Sequence, residues 1–320
     1  MMARSHRQPG SPVKFGLCLP SHLWQQDLPE RQATLAAIAD AGFDLVYMAD
    51  HVSFRNGAGT DGFVAAAGLS QLHATLGVMI SIYLLPLRHP LPVARQLATM
   101  AELAPGRFTF GIGVGGEDRH EVEVCGVDPR TRGARTNDAL AIIRELMGGA
   151  NVTHHGAHFE LDEARIRPTP KAAIPIIVGG RSDAALARVA RFGDGWIGVW
   201  VSPSRYAAAL AYIAEQADAA GRAATPWQHG YQPWVGVDST SSDRARQVVA
   251  EQMERFYHVP FEKFERYTPH GSPTEVAEQL LAYAAAGSQL FNLKICAQHP
   301  EEEVALAAEV LAEMRRMQGA

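Results

Sequence analysis

The sequence predicts an α/β fold, a (β/α)8 TIM barrel with insertions after strands 4 and 7. One observation is a repeated grammar: "LAAIADAGFDLVYMAD", "ALARVARFGDGWIGVWV" and "LLAYAAAGSQLFNLKI" each join a helical pattern to a short β-branched or aromatic run through a glycine. A second is the count of strand-like runs, eight, with helical patterns between most of them. Such alternation places a parallel sheet inside a layer of helices. A third is size, since 320 residues at 47% apolar content can bury the core that eight units need. A doubly wound open sheet is the competing architecture, because strand counting does not establish closure.

The opening "MMARSHRQPGSP" is polar and has no apolar core. It is expected to be a flexible tail over residues 1–12 and not a secretory signal, leaving 13–320 as one barrel domain. Strands are expected at 13–19, 44–48, 76–84, 107–113, 174–178, 195–201, 232–237 and 289–295. Gly42, Gly193 and Gly287 sit where helices give way to strands, and each is expected to close its helix in the left-handed conformation. Ser182 and Ser204 are expected N-caps, and Ser272-Pro273 opens "TEVAEQLLAYAAA" with proline in the first turn. After strand four comes the helix "NDALAIIRELMGG", then "NVTHHGAHFEL", which alternates like a hairpin turning near Gly156. After strand seven, about fifty residues of helical pattern begin at "SDRARQVVAEQMERFYH". Insertions of this length usually shape the mouth of a barrel.

Composition narrows the partners. The net charge is −5, and no basic run interleaves with aromatics, so neither nucleic acid nor an anionic membrane surface is an expected partner. The longest apolar run, "LGVMISIYLLP", is about half of what a membrane helix needs. Cys18, Cys125 and Cys296 form no CxxC pair, which fits a reducing cytoplasm. His154, His155 and His158 cluster on the expected hairpin without cysteines or carboxylates to complete a metal site, so no metal is expected. A homodimer is the default assembly.

Chemistry is expected where barrel strands end. Asp50 and His51 end strand two, and Ser81 interrupts apolar strand three. Arg88 and His89 follow that strand. Strand four runs into "GIGVGGEDRHE", where Gly113, Gly115 and Gly116 let backbone approach something flat, with Glu117 next; the spacing is not that of a dinucleotide fingerprint. Strand five leads to Gly179, Gly180, Arg181 and Ser182 at the start of a helix. Free N–H groups, the helix dipole and an arginine together make an anion site there.

These segments carry a resemblance. "ADH", "YLLPLRHP", "GRFTFGIGVG", "IPIIVGGRSDAALARVARFGDGW" and "SPTEVAEQLLAYAAAG" are similar to the luciferase-like monooxygenase superfamily over residues 13 to 295. The resemblance implies a TIM barrel that binds reduced flavin (FMN) or the deazaflavin coenzyme F420 at its mouth. It implies oxidoreductase chemistry, oxygenation or hydride transfer, on a small-molecule substrate, with a flavin or F420 reductase as a possible supplier of reduced cofactor. Residue by residue it assigns Asp50 and His51 to the reactive side of the ring, and Ser81-Ile82 to a strand-three bulge, often a non-prolyl cis peptide, backing the ring. It assigns Gly179, Gly180 and Arg181 to the cofactor phosphate. Deazaflavin-dependent sugar-phosphate dehydrogenases of the superfamily carry an aromatic shortly after the strand-two histidine and a glutamate directly after the strand-four glycines. Here Arg55 stands in the first region and Glu117 is displaced by one, which argues against a sugar phosphate. The expected catalytic residues are His51, as the proton-moving group, and Glu117.

Two other functions compete. A barrel aldolase or isomerase would use the anion site for a phosphorylated substrate, and an aldolase would need a lysine inside the barrel, for which Lys294 is the one candidate. A non-catalytic flavin-binding relative would bind the ring without turnover.

Overall fold

The computed structural model describes residues 13–319; the expected tail at 1–12 lies outside them. The chain runs β1 (Lys14–Cys18), α1 (Leu28–Asp40), β2 (Leu45–Met48), β3 (His51–Phe54), β4 (Ala58–Thr60), α2 (Gly62–Ser70), β5 (Gly77–Leu84) and α3 (Pro90–Leu103). It continues β6 (Phe108–Gly113), α4 (Arg119–Val124), α5 (Arg132–Met147), β7 (Val152–His155), β8 (Glu160–Ala164), β9 (Ile176–Gly179) and α6 (Asp183–Phe192). The rest is β10 (Gly195–Gly198), α7 (Pro203–Ala219), β11 (Gly230–Tyr231), β12 (Trp234–Val237), α8 (Ser242–Tyr257), β13 (His270–Gly271), α9 (Pro273–Ala285), β14 (Leu290–Cys296) and α10 (Glu303–Gly319).

β1, β2, β5, β6, β9, β10, β11 and β14 pair in that order, all in parallel. β1 then returns to β14, with Lys14 opposite Leu290 and Gly16 opposite Asn292. That pairing closes the ring and removes the open-sheet alternative. β12 continues β11 beyond Gln232-Pro233 and pairs higher up β14, Trp234 opposite Lys294. The seventh strand, expected as one run, is therefore two pieces, because proline has no N–H for the ladder.

Side-chain alternation sorts the core into two layers. Leu45, Tyr47, Met79, Ile177, Ile197 and Leu290 fill the barrel interior. Their neighbours Val46, Met48, Val78, Ile80, Ile176 and Val178 point outward under the helices. Capping matches the sequence at two helices: Ser182 accepts from the Ala185 N–H, and Ser272 with Glu275 forms a capping box. For α7 the N-cap is Ser202, not Ser204, since Pro203 takes the first helical position and leaves Ser204 inside the first turn.

Both expected insertions are present. β7 and β8 form the hairpin after strand four, His155 opposite Glu160, and α8 leads the insertion after strand seven. A third was not expected: β3 and β4 form an antiparallel hairpin directly after strand two, His51 opposite Thr60. Arg55-Asn56-Gly57 turns it, with Arg55 at φ 51° and Gly57 at φ 91°. Asn-Gly between short runs is the sequence signal that marks such a turn. Gly42 and Gly287 take positive φ as expected, whereas Gly193 sits at φ −85°. Its constraint is space: a Cβ there would lie 3.1 Å from both Val178 Cγ2 and Val189 O.

Candidate active site

A cavity of about 220 Å³ opens at the C-terminal end of the strands, lined by Asp50, His51, Ser81, Ile82, Glu117, Gly179, Gly180 and Lys294 among others. Against it lies a mouth of about 510 Å³, lined by Arg55, Gly113, Gly115, Gly116, Glu117, Gly179, Gly180 and Arg181. Every expected site residue reaches one or both, except Ser182, whose hydroxyl is used as the α6 cap.

Strand two ends at Met48, so Asp50 lies in a connecting segment and His51 opens β3. That break lets two adjacent residues turn to different partners. The Asp50 carboxylate is fully buried. It accepts from the N–H groups of Gly62 and Leu84 and pairs with Arg88 at 2.9 Å. Burial raises its pKa, with Arg88 and the two N–H donors opposing. These bonds pin the start of α2 and the end of β5, so the carboxylate is committed to the frame. Arg88 is committed with it and also stacks on Tyr83.

His51 faces elsewhere. Its Nδ1 lies 2.9 Å from Glu121 Oε2, and Glu121 Oε1 accepts from the N–H groups of Val52 and Ser53. A carboxylate only accepts, so Nδ1 carries the proton and Nε2 is the atom left for chemistry. The ring also packs on Phe54, centroids 4.4 Å apart. Sequence reasoning missed Glu121. It sits one position before Val122 on the short helix α4, and that buried valine is the only sequence hint that this turn faces inward. Glu117, the glutamate expected instead, is exposed at the boundary of cavity and mouth.

The Ser81–Ile82 peptide is cis, and the β5–β6 register shifts between Ile80 and Tyr83. The Ser81 hydroxyl donates to Gln232 Oε1 at 2.6 Å, and Asn292 Nδ2 reaches the same oxygen at 3.1 Å. Strand three is thus tied to strands seven and eight beneath the cavity, and the Ser81 hydroxyl is taken up by Gln232. Ile82 projects across the barrel: a Cβ on Gly113 would lie 1.9 Å from its Cδ1, and one on Gly179 3.3 Å away. The space at Gly113 is filled by Ile82 itself, not by a flat ligand.

Aromatic side chains form the outer wall. Trp200 packs on Tyr257 and Phe264, and Arg181 lies over its ring at 5.1 Å. Arg55 donates to the Tyr257 carbonyl, tying the β3–β4 hairpin to the end of α8. On the β7–β8 hairpin His155 pairs with Glu160, and the His158 carbonyl accepts from Arg135. Among the described residues no group of three or more His, Cys, Asp or Glu side chains is placed to hold a metal ion. None of the described helices is long and apolar enough to cross a membrane.

The chain is a closed (β/α)8 barrel with an oriented imidazole at its mouth, and comparison with known proteins gives the family. The luciferase-like monooxygenase family model matches residues 13–267, and the chain belongs to that family. It is 32% identical over 197 residues to an F420-dependent glucose-6-phosphate dehydrogenase of Nakamurella multipartita, 58% of this chain and 56% of that one. It is 32% identical over 195 residues to an F420-dependent hydroxymycolic acid dehydrogenase of Mycobacterium tuberculosis, 58% and 53% of the two chains. The chain thus spans about half the length of the curated relatives it matches. The solved structure of an F420-dependent secondary alcohol dehydrogenase with an F420–acetone adduct superimposes with a TM-score of 0.81 at 20% identity, covering 95% of this chain and 99% of that one. The fold is shared.

Proposed function

We propose that this chain is an oxidoreductase using coenzyme F420 or reduced FMN at the barrel mouth, for hydride transfer to or oxygenation of a small organic substrate. The observation that carries the reading is His51, held by Glu121 through Nδ1 on the wall of the cavity. Cavity and mouth together fall within the size range of cofactor sites. Ile82 and Gly179 would lie against the ring, and Gly115, Gly116, Gly180 and Arg181 would hold the anionic tail. The bound cofactor supplies hydride or activates oxygen, which no side chain here can do. The chain's own part is to exclude water with Trp200, Phe256 and Tyr257, and to move a proton at His51 Nε2. Glu117 is the second acid–base candidate, as it lines both spaces.

F420 is the favoured cofactor, because its tail is long and anionic and both Arg181 and Arg55 line the mouth. A reductase that supplies reduced cofactor, a homodimer and a cytoplasmic location belong to the same reading. The test is titration of purified protein with FMN and with F420, following fluorescence and ring absorbance. Micromolar F420 binding is expected. Tight FMN binding without F420 binding would reverse the preference, and binding of neither would end the reading.

Lys294 lines the cavity, which is what a barrel aldolase would require. Cys18 leads in pushing its pKa up, burial opposes, and Cys296 and Glu303 add to the rise. A Schiff-base lysine needs the opposite shift. Borohydride trapping with a carbonyl substrate, read by mass spectrometry, is expected to leave the mass unchanged; a covalent adduct at Lys294 would favour the aldolase.

A further inference from the structure

Lys294 has no part in the chemistry above, yet it is the cation that β14 sends into the cavity. Its Nζ stands over the Trp234 ring at 4.6 Å. The charged or ionisable groups around it are Cys18, Cys296 and Glu303, and no carboxylate among the described residues forms an ion pair with it. A half-buried ammonium with no carboxylate at ion-pair distance is under-compensated, and a ring face offsets only part of that cost. The open side of this ammonium is the cavity, whose nearby wall is Trp234, Phe256 and Tyr257.

We propose that Lys294 receives the carboxylate of an organic-acid substrate whose apolar or aromatic body packs against Trp234, Phe256 and Tyr257. A single ammonium offers three donors and one charge, which matches a monoanion; Lys294 brings neither the arginine fork nor the helix N-terminus that a phosphate dianion would call on. The side chain stands on β14, with only β1 between it and β2, and both Lys294 and His51 line the cavity, so the acid would be held by one end while the imidazole addresses the other. This assignment rests on the oxidoreductase reading for the identity of the site, but not for its test.

The experiment is isothermal titration of cofactor-free protein with benzoate and with its uncharged analogue benzamide, in wild type, Lys294→Met and Lys294→Arg. Benzoate is expected to bind wild type, to weaken at least tenfold in Lys294→Met, and to recover most of its affinity in Lys294→Arg. Benzamide is expected to bind both substituted proteins as it binds wild type. FMN and F420 affinities are expected to stay within threefold in Lys294→Met, whose circular dichroism reports that it has folded. Equal benzoate affinity in wild type and Lys294→Met, or no benzoate binding to wild type, would overturn the proposal. So would a loss of cofactor affinity in Lys294→Met with benzoate unaffected, because the lysine would then serve the cofactor. Lysine-dependent benzoate binding by a wild-type protein that takes up neither cofactor would leave the subsite standing and sink the oxidoreductase reading alone.

Discussion

Glu121 Oε2 lies 2.9 Å from His51 Nδ1, while its other oxygen takes the N–H groups of Val52 and Ser53. One buried carboxylate therefore fixes both the tautomer of the imidazole and the backbone that carries it. The hairpin and α4 act as one unit through this group, and a change at Glu121 should be felt in turnover and in stability together.

Glu121→Gln removes the charge but keeps an acceptor for the backbone. At metal-bound histidines, loss of the orienting carboxylate lowers activity by about 10–100-fold, and a fall of the same order in kcat is expected here. Glu121→Ala also leaves two backbone donors unpaired, which should cost a further ~1–3 kcal/mol. Steady-state kinetics and urea unfolding of both variants separate the two roles. Equal stability of Ala and Gln variants would show that the backbone bonds contribute little.

His51→Ala should keep cofactor affinity within a few-fold and lower turnover by about 10²–10⁴, the usual contribution of a positioned acid or base. His51→Gln retains hydrogen bonding without proton transfer, so its rate distinguishes orientation from acid–base work. If both variants turn over at the wild-type rate, Glu117 becomes the acid–base candidate, since it also lines the cavity.

Gly113 and Ile82 should be coupled. A Cβ at Gly113 would overlap Ile82 Cδ1 at 1.9 Å. Gly113→Ala is expected to destabilise by about 1–3 kcal/mol, the range for overpacking a core. Ile82→Val removes the clashing methyl, so the double variant should regain much of that loss, giving a coupling of about 0.5–3 kcal/mol in a double-mutant cycle. Strict additivity would mean that the backbone yields instead. The cycle also tests the cavity floor, because Ile82 borders the site on one side and Gly113 on the other.

How far the sequence carries depends on the range of each interaction. Strands and helices were legible because alternation and capping are local: "LVYM" becomes β2, and Ser272-Pro273 starts α9. The break after Met48 was not, since it follows from Asp50 finding donors at Gly62 and Leu84 that lie far apart in sequence. The same holds for Arg88, which reads as a loop cation until its carboxylate partner is placed. Glu121 was hidden for a related reason. It meets His51 across 70 positions, and no spacing rule links a turn of α4 to β3. The cis peptide at Ser81-Ile82, by contrast, was expected through resemblance alone; Ser81 reads as a polar interruption, but nothing in the residue types of strand three announces a cis bond.

Stability should fall as pH rises through the acid range because of Glu303, at the start of α10 and near Lys294. Burial pushes its pKa from 4.5 up to about 7, with Lys294 opposing. Between those values the native protein holds a proton that the unfolded chain has lost, so this stabilisation is complete below about pH 4.5 and gone above about pH 7. A shift of that size would be worth roughly 3 kcal/mol for a fully buried group; for this partly exposed one about 1–2 kcal/mol is expected. The carboxyl of Asp50, also raised by burial, slopes in the same direction but is common to wild type and variant. Glu303→Gln should match wild type near pH 4.5 and exceed it by that amount at pH 8. The measurement is urea unfolding from pH 4.5 to 8, taken as the difference between the two proteins. A flat difference curve would mean that the Glu303 carboxyl titrates as it does in water and that α10 does not bury it.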